Sequence, residues 1–213
     1  MSSEPDDPTA PVVGVGPHPA PWPRDERLDP DLLAGGDRRN VIDRYRYWRV
    51  EAIVADLDLN RSGLHVAIQN WEHDFNIGSI IRTANAFNAS GVHIIGRRRW
   101  NRRGAMVTDR YLHLHHHEDE GSLFSWLGER GIEAVGVDNL PGASPLEGCR
   151  LVRETCLIFG SEGPGLTPAM VAGCSRLVAI TQRGSTRSLN AGAAAAIAMY
   201  HWSLQHPVVE PLA

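Results

Sequence analysis

The chain of 213 residues contains no lysine; all 21 of its basic side chains are arginine. It has three cysteines, Cys149, Cys156 and Cys174, which form no C-x-x-C and cannot all pair. That excludes a disulfide framework and points to reduced thiols in a cytoplasmic protein. No apolar run approaches the roughly 20 residues of a membrane-spanning helix. The acidic, proline-rich N-terminus lacks the basic-then-apolar pattern of a signal peptide. Charge of one sign is also scarce where it would count. The formal net charge is −4, yet residues 1–39 hold eight acids and four arginines, which leaves the remainder formally neutral. A whole-molecule field for nucleic acid is therefore absent, and any such binding must come from local clustering.

What is present is ordinary for a globular chain, at 42% hydrophobic and 22% charged residues. Residues 1–39 carry eight of the 14 prolines and few large apolar side chains. They are expected to form a mobile tail, with one domain over 40–213. Asn40 is expected to cap a helix with Val41, Tyr45, Trp48, Ala52 and Ala55 on its apolar side. Beyond it, strands are expected at 64–70, 92–96, 133–138, 155–160 and 176–181. Helices are expected at 76–87, 122–130, from about Thr167, and at 188–202. Strands alternate with helices, and several strands are continuously apolar. This is the signature of an α/β fold with a parallel sheet of about five or six strands, covered on both faces. Ligands in such sheets bind at loops leaving the carboxyl ends of strands. The loops to inspect follow Asn70, Gly96, Asp138, Gly160 and Thr181.

Several segments in or near those loops carry chemistry-bearing residues. GSEGPG (160–165) permits tight turns and close ligand approach, but it is neither G-x-G-x-x-G nor a lysine-bearing phosphate loop. Glu162 within it either caps backbone N–H groups or touches a ligand. In ITQRGSTRSLNAG (180–192), Ser188 is a candidate cap for the last helix, with Asn190 in its first turn. Asn76 starts the 76–87 helix, and Arg82 points off its apolar stripe, as a solvated arginine also would. RRRWNRR (97–103) places Arg97, Arg98, Arg99, Arg102 and Arg103 around Trp100. Arginine pairs bidentately with phosphate, and tryptophan stacks on bases; a solvated loop is the plain alternative. His113, His115, His116 and His117 invite a metal reading, but no cysteine lies near and the acids at 118–120 can pair with them, so no metal site is assigned.

Three of these segments together resemble the SpoU/TrmH branch of the SPOUT superfamily, RNA ribose 2′-O-methyltransferases. They are NIGSIIRTANAFNASGVHIIG (76–96), LIFGSEGPGL (157–166) and ITQRGSTRSLNAGAAAAIAMY (180–200), in the family's order over about 125 residues. The resemblance implies an α/β-knot, a parallel sheet with a C-terminal trefoil. It implies S-adenosylmethionine as cofactor, with Gly160, Ile180, Leu189 and, in the loop NLPGASPL, Leu140 at cofactor-contacting positions. Asn76, Arg82, Glu162, Ser188 and Asn190 match active-site positions. The family forms homodimers, and the expected substrate is structured RNA, tRNA rather than rRNA. Two departures stand out: Phe87 is followed by Asn88 rather than glycine, and the third motif reads SLNAG, which suggests a looser helix entry at Ala191 and Gly192. A non-catalytic RNA- or ribosome-binding protein that keeps the knot is the alternative.

Overall fold

A computed structural model of the chain describes residues 14–71, 76–161 and 163–207. It divides into two compact units, one ending at Ala55 and the other beginning at Asp56. The expected boundary at 39/40 and the mobile tail need correction for residues 14–39, while residues 1–13 lie outside the described residues. The first unit is ordered by polar contacts rather than by apolar mass. Val15 and Asp37 exchange both backbone hydrogen bonds at 2.9 Å. The buried Asp37 carboxylate receives Nε and Nη2 of Arg39 at 2.9 and 2.7 Å, and the Tyr47 N–H at 2.9 Å. Burial pushes that carboxyl up, but the Arg39 fork and the two backbone N–H groups outweigh it and hold the group at about 2. Asp29 caps helix α1 (Pro30–Gly35). The helix expected from Asn40 begins only at Val50, as α2 (Val50–Asp58), after a 3-10 turn at Asp43–Tyr45. The positive φ of Tyr47 (64°) breaks the path between them.

The second unit is a parallel sheet. Its elements are β1 (Leu64–Asn70), α3 (Asn76–Ala86), β2 (Gly91–Gly96), β3 (Leu114–His117), α4 (Glu120–Glu129), β4 (Glu133–Val137), β5 (Ser144–Pro145), β6 (Thr155–Phe159), α5 (Pro168–Gly173), β7 (Arg176–Ala179) and α6 (Ala191–Gln205). The strand order is β3-β2-β1-β6-β4-β7-β5, and every pair is parallel. Among the described residues seven strands stand where about five or six were expected, because the two edges are short strands with no apolar run. One is rich in histidine; the other is two residues ending in proline, which a sheet tolerates only at an edge.

Central strands are buried on both faces, which is why they read as unbroken apolar runs. Leu64, Val66 and Ile68 of β1 face one core with Ile77, Ile80 and Ile81 of α3 and Ala195, Ala198 and Met199 of α6. Ala67 of β1, Cys156 and Ile158 of β6 face the other, with Leu123 and Leu127 of α4 and Met170 of α5. Thr167 caps α5 and Asp119 caps α4, each by its side chain.

The histidines that suggested a metal do something else. His65 Nδ1 lies 3.1 Å from His93 Nε2, and His93 Nδ1 lies 2.9 Å from His117 Nε2. His115 stacks on His93, and the Trp126 ring of α4 covers them at 4.6 Å from His93. His113 instead meets Asp58 at 2.9 Å. Among the described residues, no group of three or more His, Cys, Asp or Glu is arranged to hold a metal ion.

Burial, then the neighbouring His115 and Arg130, lowers His65 to about 4, and burial lowers His93 as well. In the unfolded chain both rings titrate near 6.5. Their contribution to stability is thus present above pH 6.5 and lost as pH falls from there toward 4. Urea titrations should show the second unit losing about 2–4 kcal/mol between pH 7.5 and pH 5. A His93→Gln variant should show a shallower pH dependence over the same interval; an unchanged slope would exclude the imidazole row as its source.

Candidate functional site

The carboxyl ends of β4, β6 and β7 open on one cavity of about 410 Å³. Each wall is fixed by backbone hydrogen bonds. At the end of β4, Asp138 turns both carboxylate oxygens on the main chain: Oδ1 accepts from Asn139 N at 2.7 Å and Oδ2 from Leu166 N at 2.8 Å. The second contact ties the glycine-rich loop after β6 to β4. That loop folds back on itself, with Gly165 N donating to Ser161 O at 3.0 Å. Gly163 and Gly165 take φ of 95° and 74°, which side-chain-bearing residues adopt only with strain. A Cβ at Gly160 would collide with the Gly165 backbone. Ser161 Oγ and Thr167 N are anchored to Gln69 of β1 at 3.2 and 3.1 Å.

The third wall is the segment from Ile180 to Asn190. At its start, Glu147 accepts from Thr181 N and Thr181 Oγ1, both at 3.0 Å. Hydrogen bonds from its own backbone N–H and from Thr181 hold the Glu147 carboxyl below its usual range. Midway, Asn139 Nδ2 donates to Arg187 O at 3.0 Å. At its end, Asn190 rather than Ser188 caps α6, its Oδ1 accepting from Gly192 N and Ala193 N at 3.0 and 3.2 Å. The same side chain reaches across with Nδ2 to donate to Asn76 Oδ1 at 2.8 Å. One residue thus starts α6 and joins it to the first turn of α3.

Gly160, Ile180, Ser188, Leu189 and Asn190 all line the cavity. Asn76 is buried beside it through Asn190. Leu140 is not on the lining; it is half-buried against the second core, and Asp138 and Asn139 take its place. Arg82 is exposed on α3, one turn beyond Ser79, and no described residue binds its guanidinium. Glu162 lies outside the described residues. Arg97, Arg98, Arg99, Arg102 and Arg103 are all exposed on the loop after β2. Asn70 Nδ2 holds that loop by donating to Arg97 O and Arg99 O at 2.6 and 3.0 Å. Trp100 is half-buried against the main core with the Arg102 guanidinium over its ring, so it is not a free stacking platform. The entry to α6 is not loose either. A Cβ at Gly192 would come within 2.6 Å of Ser79 Oγ, so glycine is what lets α6 seat against α3. Sequence patterning missed Asp138, Asn139, Gln182 and Glu147. A lone polar residue at a strand end or in a loop carries no periodic signal; Asn139 and Gln182 open two of the loops marked for inspection, but nothing in the pattern singled them out.

This arrangement matches known proteins over the same residues. The model of the SpoU rRNA methylase family matches residues 63–200. The chain belongs to the SpoU rRNA methylase family. Among its SpoU relatives, YacO of Bacillus subtilis, assigned to the TrmH family of tRNA/rRNA methyltransferases, is 26% identical over 84% of this chain and 76% of its own. A tRNA/rRNA methyltransferase of Mycobacterium avium is 31% identical over 67% of this chain and 47% of its own, so this chain spans about half the length of that relative. The SpoU methyltransferase AviRb of Streptomyces viridochromogenes, solved with S-adenosylmethionine, superposes with a TM-score of 0.62 at 28% identity, covering 68% of this chain and 59% of AviRb. A structure described by the 2-OH methylation of C/U34 on tRNA superposes with a TM-score of 0.61 at 25% identity, covering 67% of this chain and 95% of its own.

Asn190→Asp separates the two jobs of Asn190 in this SpoU chain. Aspartate keeps the capping acceptor, which a helix N-terminus favours, and removes the N–H given to Asn76. The melting temperature should stay within a few degrees of wild type, whereas Asn190→Ala should cost about 1–2 kcal/mol. Equal loss of stability in both variants, read by denaturant titration, would contradict this division.

Proposed function

We propose that the chain transfers a methyl group from S-adenosylmethionine to the 2′-hydroxyl of a ribose in structured RNA, tRNA rather than rRNA. The observation that carries the reading is the bond from Asn190 Nδ2 to Asn76 Oδ1 at the glycine-walled cavity. It brings two of the expected active-site side chains together across 114 positions of sequence. The tRNA preference draws on the relative acting at C/U34, nearly the whole of which is matched. The trefoil threading implied by the resemblance belongs to the same proposal.

The cavity fits the cofactor. Glycine at 160 and 165 lets the loop pack closely on itself and on Asp138, and Gly163 with apolar Ile180 and Leu189 lines the space that is left. Gly160, Ile180 and Leu189 would hold it, with Asp138 keeping the loop walls in register. When bound, S-adenosylmethionine offers an electrophilic methyl carbon on a positively charged sulfur. This leaves the protein to orient the ribose and ease loss of the hydroxyl proton. Asn76 and Asn190 fix the oxygen by hydrogen bonds, and Ser188 orients the RNA at the rim. The role of Arg82 is to grip the neighbouring phosphate and, through the charge of its guanidinium, to favour the ionised hydroxyl. Glu162 orders the loop that carries it. Arg97, Arg98, Arg99, Arg102 and Arg103 bind phosphates further along the RNA.

The proposed unit is a homodimer. Helix α6 is mostly apolar, with His201, Ser203 and Gln205 its polar side chains beyond Tyr200. Its inner face packs into the core, while Ile197, Tyr200 and Leu204 on the outer face are 42%, 56% and 62% exposed. That stripe suits a second copy of the chain.

Transfer of labelled methyl to unmodified tRNA and, separately, rRNA tests the reaction, with product nucleosides identified by mass spectrometry. A 2′-O-methylnucleoside should appear on tRNA. Arg82→Ala should lower kcat/KM by about 100-fold or more while leaving cofactor affinity unchanged. Equal label from both proteins would remove Arg82 from the reaction, and no label on either RNA despite cofactor binding would favour a non-catalytic RNA-binding protein.

A further inference from the structure

Gln182 sits two residues beyond Ile180 on the third wall of the cavity, and it lines both this cavity and an adjoining polar hollow of about 610 Å³. Its Oε1 is buried, yet no hydrogen-bond partner reaches it among the described residues. Three other points of the same segment have protein partners: Thr181 bonds Glu147, Arg187 O accepts from Asn139, and Asn190 donates to Asn76. A buried acceptor without a donor is costly to maintain, and such groups mark places where a ligand completes the bonding.

The chemistry of that ligand follows from the group. A carboxamide offers an acceptor and a donor side by side. Adenine presents the complementary pair, the 6-amino hydrogen beside a ring nitrogen, and glutamine pairs with it bidentately. The surroundings suit a flat base: Ile180 and Leu189 of the same segment line the cavity with Gln182, and Phe159 and Val137 are on its other walls. The charged end of the cofactor would find no such slot there. Asp138, the one acid on the lining among the described residues, already receives Asn139 N and Leu166 N.

We infer that Gln182 reads the adenine of the cofactor, its Oε1 accepting from the 6-amino group and its Nε2 donating to N7. The inference rests on the cofactor reading above. It adds a specificity-determining polar side chain to the pocket, and it predicts discrimination against purines with a 6-oxo group. Replacing the amine by oxygen turns a donor into an acceptor and faces Oε1 with a second oxygen.

Calorimetric titration of the full chain with S-adenosylhomocysteine and with S-inosylhomocysteine, no RNA present, tests this without any turnover. Wild type should prefer the adenine compound by about 10- to 100-fold, the range of one bidentate pair. Gln182→Met keeps the length and packing of the side chain and removes the amide. It should bind both compounds within about 3-fold of each other and melt at the wild-type temperature. Gln182→Glu keeps an acceptor and loses the donor, and should retain part of the preference. An unchanged preference in Gln182→Met would overturn the role of Gln182 alone. Failure of wild type to bind S-adenosylhomocysteine would overturn the cofactor reading and this inference with it.

Discussion

The amide of Asn190 is the point on which the site turns. Its oxygen ends the irregular segment after β7 by capping α6, and its nitrogen fastens α3 to that start. Two helices on the same face of the sheet are thereby set in register by one planar group. The glycine at 192 and the hydroxyl of Ser79 complete the fit. A looser joint would let the two helices slide independently over a core whose apolar contacts have no preferred direction. The amide supplies the direction that apolar packing lacks.

The other walls obey the same logic. Asp138, Glu147 and Gln69 each spend polar side-chain atoms on backbone groups of loops rather than on one another. Backbone groups in a cavity wall must be satisfied without filling the cavity. Anchors placed behind the loops achieve this, leaving glycine surfaces in front. The apolar strands deliver the loops to one edge; the anchors decide what shape they hold there.

How much of this was legible follows from which signals are periodic. Strands β1, β2, β4, β6 and β7 and helices α3, α4 and α6 were read within a few residues, because burial on both faces writes itself as apolar runs and helical spacing. The edge strands β3 and β5 were not, since an edge needs little apolar content. The N-terminal unit was misread for a related reason. Its order comes from one buried carboxylate gathering Arg39 and Tyr47, and proline-rich sequence conceals such a knot of hydrogen bonds. Gly160, Ile180, Leu189 and Asn190, singled out by motif, line the cavity, while Leu140 is one step from the residues that line that wall. Which of three consecutive residues faces inward depends on how a loop turns, and no pattern in Asp138–Asn139–Leu140 fixes that.

The row of imidazoles across β1, β2 and β3 has a consequence for where its hydrogens sit. His93 touches His65 through Nε2 and His117 through Nδ1. A neutral ring carries one N–H, so His93 donates to one neighbour and must accept from the other. If it gives through Nδ1, His65 must carry its hydrogen on Nδ1, and His117, accepting at Nε2, must carry its own on Nδ1. If it gives through Nε2, all three carry it on Nε2. The three rings therefore share one tautomer, and reversing any one requires reversing the row, so three strands of the sheet are linked by a single collective choice of proton position.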